Sequence, residues 1–352
     1  MWAAQPEGRD DTEVDALRAD DVAAVRPRVA AHVRRTPVLE LRAGDLGLDG
    51  TGLSPVVAKL DLLQPTGSFK VRGATALLTD PSLSEWSVHP GVVAASGGNF
   101  GLAVAWAADR LGLSATVVVP ATAPEAKLAP IRALGAELIR VEGVYADAFA
   151  RAEGLRAERG AVLAHAYDQP QVVAGQGTAA AELLEQAADL DTVLVAVGGG
   201  GLLAGTIAAV AAAGVRVVAV ETEGTPTLHA ALAAGHPVDV EVSGSAASAL
   251  GARRIGAHAW AARHHLDVSL LVTDAEVLDA QRRLWRTARL VAEPGGATAL
   301  AALTAGRYRP AAGERVAVIV CGANTDPASV VEGDPPAVRS DTDHLHRTPG
   351  RR

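Results

Sequence analysis

The sequence predicts an α/β fold built on parallel sheets, and three observations carry the prediction. Short apolar runs alternate with helical-period segments in units of about 20–25 residues, the pattern produced by right-handed crossovers between parallel strands. The apolar share is 49%, mostly Ala, Val and Leu, with aromatics at only 3%; small aliphatic side chains suit helices packed closely on a sheet. Glycine clusters mark the points where strands give way to helices, as at 97–98 and 198–201. A chain of 352 residues has room for about two such units.

In chain order, residues 1–13 are acidic and polar and are expected to be mobile. Val22, Val25, Val29 and Val33 recur at helical spacing within 20–34, with Asp20 or Asp21 as the cap, until Thr36-Pro37 breaks the helix. Val56 to Leu60 reads as a strand running into Gln64-Pro65-Thr66-Gly67-Ser68-Phe69-Lys70, after which a helix continues to the residues before Pro81. The polar stretch 82–90 reads as a linker. Strands at 92–95, 115–119, 137–141 and 162–164 then alternate with helices at 100–111, 127–134 and 146–159. This run, about 86–165, is compact enough to be a small domain inserted into a larger one made of 14–85 and 166–330.

The larger unit resumes with a helix at about 178–188, a strand at 192–197, a helix at 202–213 and a strand at 215–220. Residues 222–256, rich in Ala, Gly and Ser, show no clear period. A strand at 270–272, helices at 274–290 and 298–305, and a strand at 316–320 ending at Cys321 complete it. The charged, proline-containing tail from 331 to 352 is expected to be mobile.

Composition excludes several classes. A net charge of −8 without a long basic run argues against nucleic acid as a partner. A single cysteine, Cys321, rules out an internal disulfide and points to a reducing cytoplasm. The first 13 residues have no apolar core of the kind a signal peptide needs. The most apolar segment, 193–220, is interrupted by four glycines and Arg216, so strand, turn, helix and strand describe it better than a membrane span.

Four motifs carry candidate chemistry. Gly198-Gly199-Gly200-Gly201 lies between a buried strand and a helix, where successive peptide N–H groups and the positive helix end suit a phosphate. The same stretch reads G-x-G-x-x-A through Ala204, with Glu221 ending the next strand, so dinucleotide binding competes with simple phosphate binding. Ser96-Gly97-Gly98-Asn99 offers a hydroxyl, an amide and backbone donors to a carboxylate or ring oxygen, or simply caps a helix. Cys321, at the end of an apolar strand, is a buried structural thiol unless a cofactor meets it. Glu293-Pro294-Gly295-Gly296 is a turn-forming acid ahead of a helix. His264-His265 have no metal-ligand spacing and read as solvated.

Taken together and in order, Pro65-Thr66-Gly67-Ser68-Phe69-Lys70-Val71-Arg72-Gly73-Ala74, Ser96 to Asn99, Ala174-Gly175-Gln176-Gly177-Thr178, Gly198 to Gly201 and Cys321-Gly322-Ala323-Asn324 resemble the fold-type II pyridoxal-phosphate enzymes, and within them the serine/threonine dehydratase branch. The resemblance runs from about 25 to 325. It implies two open parallel-sheet domains with helices on both faces and pyridoxal 5′-phosphate in the cleft between them. It implies that Lys70 forms the Schiff base and moves protons at the substrate Cα. Phe69 would pack on the ring, Asn99 would bond the ring hydroxyl, and Gly198, Gly199, Gly200, Gly201 and Leu202 would hold the phosphate. Cys321 would face the ring nitrogen, a thiol leaving it largely neutral. Ser96, Gly97 and Asn99 would take the substrate. The implied reaction is loss of water from L-threonine or L-serine to give a 2-oxo acid and ammonia, by a cytoplasmic homodimer. Threonine synthase-like chemistry, another hydroxyamino acid such as 3-hydroxyaspartate, and cofactor binding without turnover are the alternatives.

Three positions depart from the family pattern. Phe100 stands where histidine usually follows the loop asparagine. Gly97 replaces the second serine of the related racemase, so racemisation is not expected. Thr227 stands where an aspartate would join Glu221 in holding a divalent cation, so no metal is expected. The segment 245–252 also lacks an aspartate before Leu250. Only a short tail follows about residue 330, and feedback by an amino acid is not expected.

Overall fold

A computed structural model describes residues 14–48, 54–83 and 91–331. The expectations for 1–13, for the end of the chain after 331 and for most of the linker at 82–90 fall outside these residues.

Two sheets organise the chain. Strands β1 (Val38–Leu41), β2 (Val56–Lys59), β7 (Thr192–Ala196), β8 (Arg216–Thr222), β9 (Val268–Val272) and β10 (Val316–Ile319) form a six-stranded sheet in the order β1-β2-β10-β7-β8-β9. Every pairing in it is parallel except β1 with β2, where Val38 faces Lys59. Strands β3 (Val92–Ala95), β4 (Ala115–Pro120), β5 (Glu137–Val141) and β6 (Val162–Ala164) form a fully parallel sheet in the order β5-β4-β3-β6. The central strands β2, β3, β7 and β10 are buried at every position, as expected of a sheet covered on both faces.

The α-helices among the described residues are α1 (Ala19–Ala30), α2 (Lys70–Leu78), α3 (Asn99–Leu111), α4 (Glu125–Ala133), α5 (Tyr145–Arg159), α6 (Pro170–Gln186), α7 (Gly201–Val210), α8 (Thr227–Ala234), α9 (Ala247–Leu250), α10 (Ala257–Ala262), α11 (Asp274–Ala288), α12 (Pro294–Thr304) and α13 (Ala328–Val331). Most lie within a few residues of their predicted spans, and the exceptions are instructive. Helix α6 begins at Pro170 rather than near 178, and α12 at Pro294 rather than 298. Both open on proline at the first helical position, where the missing N–H costs nothing. Gly175 sits inside α6 because a Cβ there would overlap Gly73 and the Arg72 carbonyl of α2. Helix α1 is capped at Arg18, whose N–H is taken by the Asp21 carboxylate at 2.8 Å, not at Asp20 or Asp21. The segment after Thr36-Pro37 forms an edge strand, and part of 222–256 forms α8 and α9. His264 and His265 lie in a 3-10 turn and are exposed. No helix among the described residues is long and apolar enough to cross a membrane.

A buried polar frame fixes the start of α2. Arg72 is fully buried and grips two carboxylates with two hydrogen bonds each, all at 2.8 Å: Asp61 beyond β2 and Glu182 on α6. Lys59 completes the frame, giving its Nζ protons to Glu182 at 2.7 Å, to the Thr36 carbonyl at 2.7 Å and to Gln186 at 2.9 Å. Thr36 donates its hydroxyl proton to Asp61 at 2.7 Å. Two cations and two anions balance, which is the condition for holding ions away from water.

Candidate active site

Lys70 opens α2, and the loop before it is stitched to the segment after β10. Phe69 N–H donates to the Cys321 carbonyl at 2.9 Å, and Ala323 N–H to the Gly67 carbonyl at 2.8 Å. The lysine residue is part-exposed, but its amine end is enclosed: Nζ donates to the Ala166 carbonyl at 2.9 Å and lies 5.0 Å from the Phe69 ring centre and 5.9 Å from that of Phe100. Burial lowers the Lys70 amine to about 8, against the upward pull of Cys321 and Glu293. Phe100, at the departure from the family pattern, is 2% exposed and packs in the core under α3, so it adds no titrating group there.

The glycine loop runs from the end of β7 into α7. Gly200 has φ +88°, and a Cβ on Gly199 would overlap the ring of Tyr167. The first N–H groups of α7 have no partner within the helix. Beside them stands Gln176, fully buried, whose Nε2 donates to the Ala166 carbonyl at 3.3 Å and whose Oε1 has no donor. Leu202 is buried beneath the loop. Gly198 is tied from behind, its carbonyl accepting from Thr227 Oγ1 at 2.5 Å.

The Ser96–Asn99 turn faces the same region from the four-stranded sheet. Ser96 is half-buried and its Oγ accepts from Gly98 N–H at 3.4 Å; a Cβ on Gly97 would lie 3.3 Å from Val119. Asn99 is held across the gap between the sheets: Nδ2 donates to Glu293 Oε1 at 2.6 Å, and Oδ1 accepts from Asn324 Nδ2 at 2.7 Å. Burial raises the Glu293 carboxyl to about 7, opposed by the Asn99 hydrogen bond and by Lys127 and Lys70. Burial also pushes the Cys321 thiol well above its ordinary value, with the Glu293 and Asp61 charges adding to it. Cys321 Sγ donates to the Gly295 carbonyl at 3.5 Å.

Sequence reading missed several residues here. It assigned nothing to 165–168, yet His165, Ala166, Tyr167 and Asp168 border Lys70 and the glycine loop. Asp168 accepts from Ala257 N–H at 2.9 Å and His258 N–H at 3.1 Å, and pairs with His258 Nδ1 at 2.8 Å. Burial lowers the His165 imidazole, and its Nδ1 accepts from Asp168 N–H at 2.9 Å, so the ring is neutral. Rings continue outward from Tyr167 through His165 (4.7 Å), Phe149 (5.7 Å) and Tyr145 (6.3 Å), the last half-exposed. The signal was the aromatic residues themselves, scarce enough to notice. Glu293 and Asn324 lay in recognised motifs without an assigned contact.

Glu221 does not fit a divalent cation. Its Oε1 accepts from Leu228 N–H at 2.8 Å and Thr227 Oγ1 at 3.1 Å, and its Oε2 from His229 N–H at 2.8 Å. The carboxylate is spent on α8, and Thr227 offers only a hydroxyl. Among the described residues, no group of three or more His, Cys, Asp or Glu is arranged to hold a metal.

Comparison with known proteins gives the family. The family described as "Pyridoxal-phosphate dependent enzyme" matches residues 29–322. Phenylserine dehydratase of Ralstonia pickettii is 37% identical over 329 residues, covering 90% of this chain and 97% of that protein. The biosynthetic L-threonine dehydratase of Escherichia coli is 36% identical over 310 residues; this chain spans 59% of its length. The crystal structure of serine racemase from Dictyostelium discoideum superimposes with a TM-score of 0.81 at 30% identity, covering 88% of this chain and 99% of that one.

Proposed function

We propose, from the premise that this chain belongs to the pyridoxal-phosphate dependent enzymes, that it eliminates water from L-threonine and L-serine, releasing a 2-oxo acid and ammonia. The chain stands among the hydroxyamino-acid dehydratases of that family. The observation that carries the reading is the enclosed Lys70 amine, lowered to about 8, beside the glycine loop that opens α7.

The residues fit the cofactor. A Cβ-free loop whose backbone N–H groups open a helix N-terminus suits a phosphate. Bound pyridoxal phosphate supplies an aldehyde for covalent attachment and a ring that draws electrons from the substrate Cα. In this reading Lys70 Nζ would be the attachment point and would take the proton from the substrate Cα. Gly198 to Leu202 bind the phosphate, Asn99 the ring hydroxyl and Ser96 with its turn the substrate carboxylate. Phe69 backs the ring. The Cys321 thiol, kept neutral by burial, would face the ring nitrogen without charging it, which suits departure of a β-hydroxyl. Gly97 brings no second hydroxyl, so racemisation is outside the reading. Residues 14–85 with 166–330, and 86–165, are read as the two domains flanking the cofactor, in a cytoplasmic homodimer whose mass light scattering would measure.

A second substrate reading rests on one observation. The chain has three Phe and three Tyr, and five of the six (Phe69, Phe100, Phe149, Tyr145 and Tyr167) stand around or lead toward Lys70. Such a run of rings would accept a β-aryl group, as in phenylserine.

The test is direct. After incubation with pyridoxal phosphate, borohydride should fix the cofactor on Lys70, read by peptide mass, and Lys70→Ala should abolish both label and turnover. No label refutes the cofactor role. A panel of threonine, serine, 3-hydroxyaspartate and phenylserine is then assayed for oxo acid. Label without oxo acid refutes the dehydratase reading, and kcat/KM for phenylserine above that for threonine selects the second one.

A further inference from the structure

Glu293 has no role in the scheme above, yet it is the acid that meets the cleft. It is 5% exposed, sits at the N-cap of α12 and spends no side-chain bond on capping that helix. Its Oε1 instead takes a 2.6 Å hydrogen bond from Asn99 Nδ2, across the gap between the two sheets. On the other side of the same amide, Asn324 donates to Asn99 Oδ1 at 2.7 Å, and its Nδ2 also donates to the Thr66 carbonyl at 2.9 Å, in the loop that carries Lys70.

The two neighbours are unlike, and that difference fixes the amide. An ionised carboxylate can only accept, so it must face the NH2 group of Asn99. The Asn324 amide donates, so it must face the carbonyl oxygen. Flipping Asn99 would break both bonds at once. With the amide so held, one Asn99 N–H is spent on Glu293 and the other is left over.

We propose that Glu293 is a positioning residue: together with Asn324 it locks the Asn99 amide so that the second N–H is presented to the ring hydroxyl of pyridoxal phosphate. This rests on the cofactor reading above. Protonating Glu293 turns an obligatory acceptor into a group that also donates, which removes the lock. The charged or titratable groups facing Glu293 are Lys70 on α2, Lys127 on α4 and Cys321 after β10. The two lysines favour the ionised form, while burial pushes the carboxyl up to about 7.

The experiment is equilibrium binding of pyridoxal phosphate to the apoenzyme between pH 6 and 9, read by absorbance and by borohydride labelling of Lys70. Glu293→Ala should weaken binding about tenfold to a hundredfold at pH 8, the range for losing a charge-assisted hydrogen bond. Asn99→Ala should do the same, and the double variant should bind no worse than Asn99→Ala alone. Glu293→Gln carries a donor as well as an acceptor, as the protonated acid does, so at pH 8 it should bind as weakly as the parent does at pH 6 and should lose the part of the parent's pH dependence centred near 7. Additive losses in the double variant, or a pH profile unchanged in Glu293→Gln, would overturn the proposal. These variants still label Lys70, so failure here is distinct from failure of the cofactor reading, in which the parent itself takes no label. If Glu293→Ala does not fold, the Glu293→Gln profile decides alone.

Discussion

Replacing Arg72 by Met tests whether the buried ion frame holds the start of α2. The substitution keeps length and apolar bulk but removes the bidentate partner of both Asp61 and Glu182. Of two cations and two anions, one cation and two anions remain, all out of water. Breaking a buried pair by deleting one partner costs about 3–5 kcal/mol, because a charge is left uncompensated. At about 2.1 cal/mol/K per residue, a chain of this size unfolds with an entropy near 0.7 kcal/mol/K, so the melting temperature should drop by about 6 °C. The companion is Arg72→Met with Asp61→Leu, which leaves Lys59 and Glu182 as a balanced pair 2.7 Å apart. That double variant should be more stable than Arg72→Met by about 2 kcal/mol, although it carries one more mutation. Urea unfolding followed by far-UV circular dichroism measures both. A neutral Arg72→Met, or a double variant at the sum of the two single losses, would refute the reasoning.

Three further outcomes are expected. Gly199→Ala places a methyl where the Tyr167 ring stands; it should weaken pyridoxal phosphate at least tenfold and pyridoxal itself much less, with Tyr167→Ala restoring part of the loss. With its amine lowered to about 8, Lys70 is about one-tenth deprotonated at pH 7, against well under a thousandth for an ordinary lysine; covalent capture of pyridoxal phosphate should climb about tenfold between pH 6 and 7 and level off above 8, and a rate still climbing at pH 10 would show an unperturbed amine. Because hydrogen bonds within the protein occupy Glu221, EDTA or added Mg²⁺ should leave melting temperature and kcat unchanged; a shift of more than about 2 °C would expose a cation site.

Much of the fold was legible because parallel strands buried on both faces have to be apolar throughout, and Val92-Val93-Ala94-Ala95 or Val316-Ala317-Val318-Ile319 carry that signal alone. What failed was the start of α6 and α12. Both were read as starting after their glycines and prolines, while the chain uses these residues for a first turn and for close approach between helices, a tertiary demand that no local window contains. The cofactor-side motifs were legible because a phosphate loop and a lysine turn are short and contiguous. Glu293 with Asn99, and Arg72 with Asp61 and Glu182, were not. Each pairs residues 11 to 194 positions apart, and a lone acid before a proline looks the same whether it caps a helix or crosses a cleft.

The electrostatics around Lys70 favour dipoles over charges as the means of holding anions. Burial moves four ionisable groups there toward their neutral forms, Lys70 down to about 8, Glu293 up to about 7, Cys321 up and His165 down, while Asp168 is held charged by its hydrogen bonds from His258 and Ala257. A cofactor phosphate and a substrate carboxylate bring negative charge into that region. In the proposed reading, what meets them is the N-terminus of α7 with the glycine loop, and the Ser96–Asn99 turn at the N-terminus of α3. Peptide dipoles supply partial positive charge that does not titrate and does not compete with the lysine for a proton. An arginine in the same place would bind the anions more strongly, but its full charge would depress the Lys70 amine further. In the proposed reading, holding anions by backbone sets no fixed cation beside Lys70, so one lysine can serve first as the attachment point and then as the base.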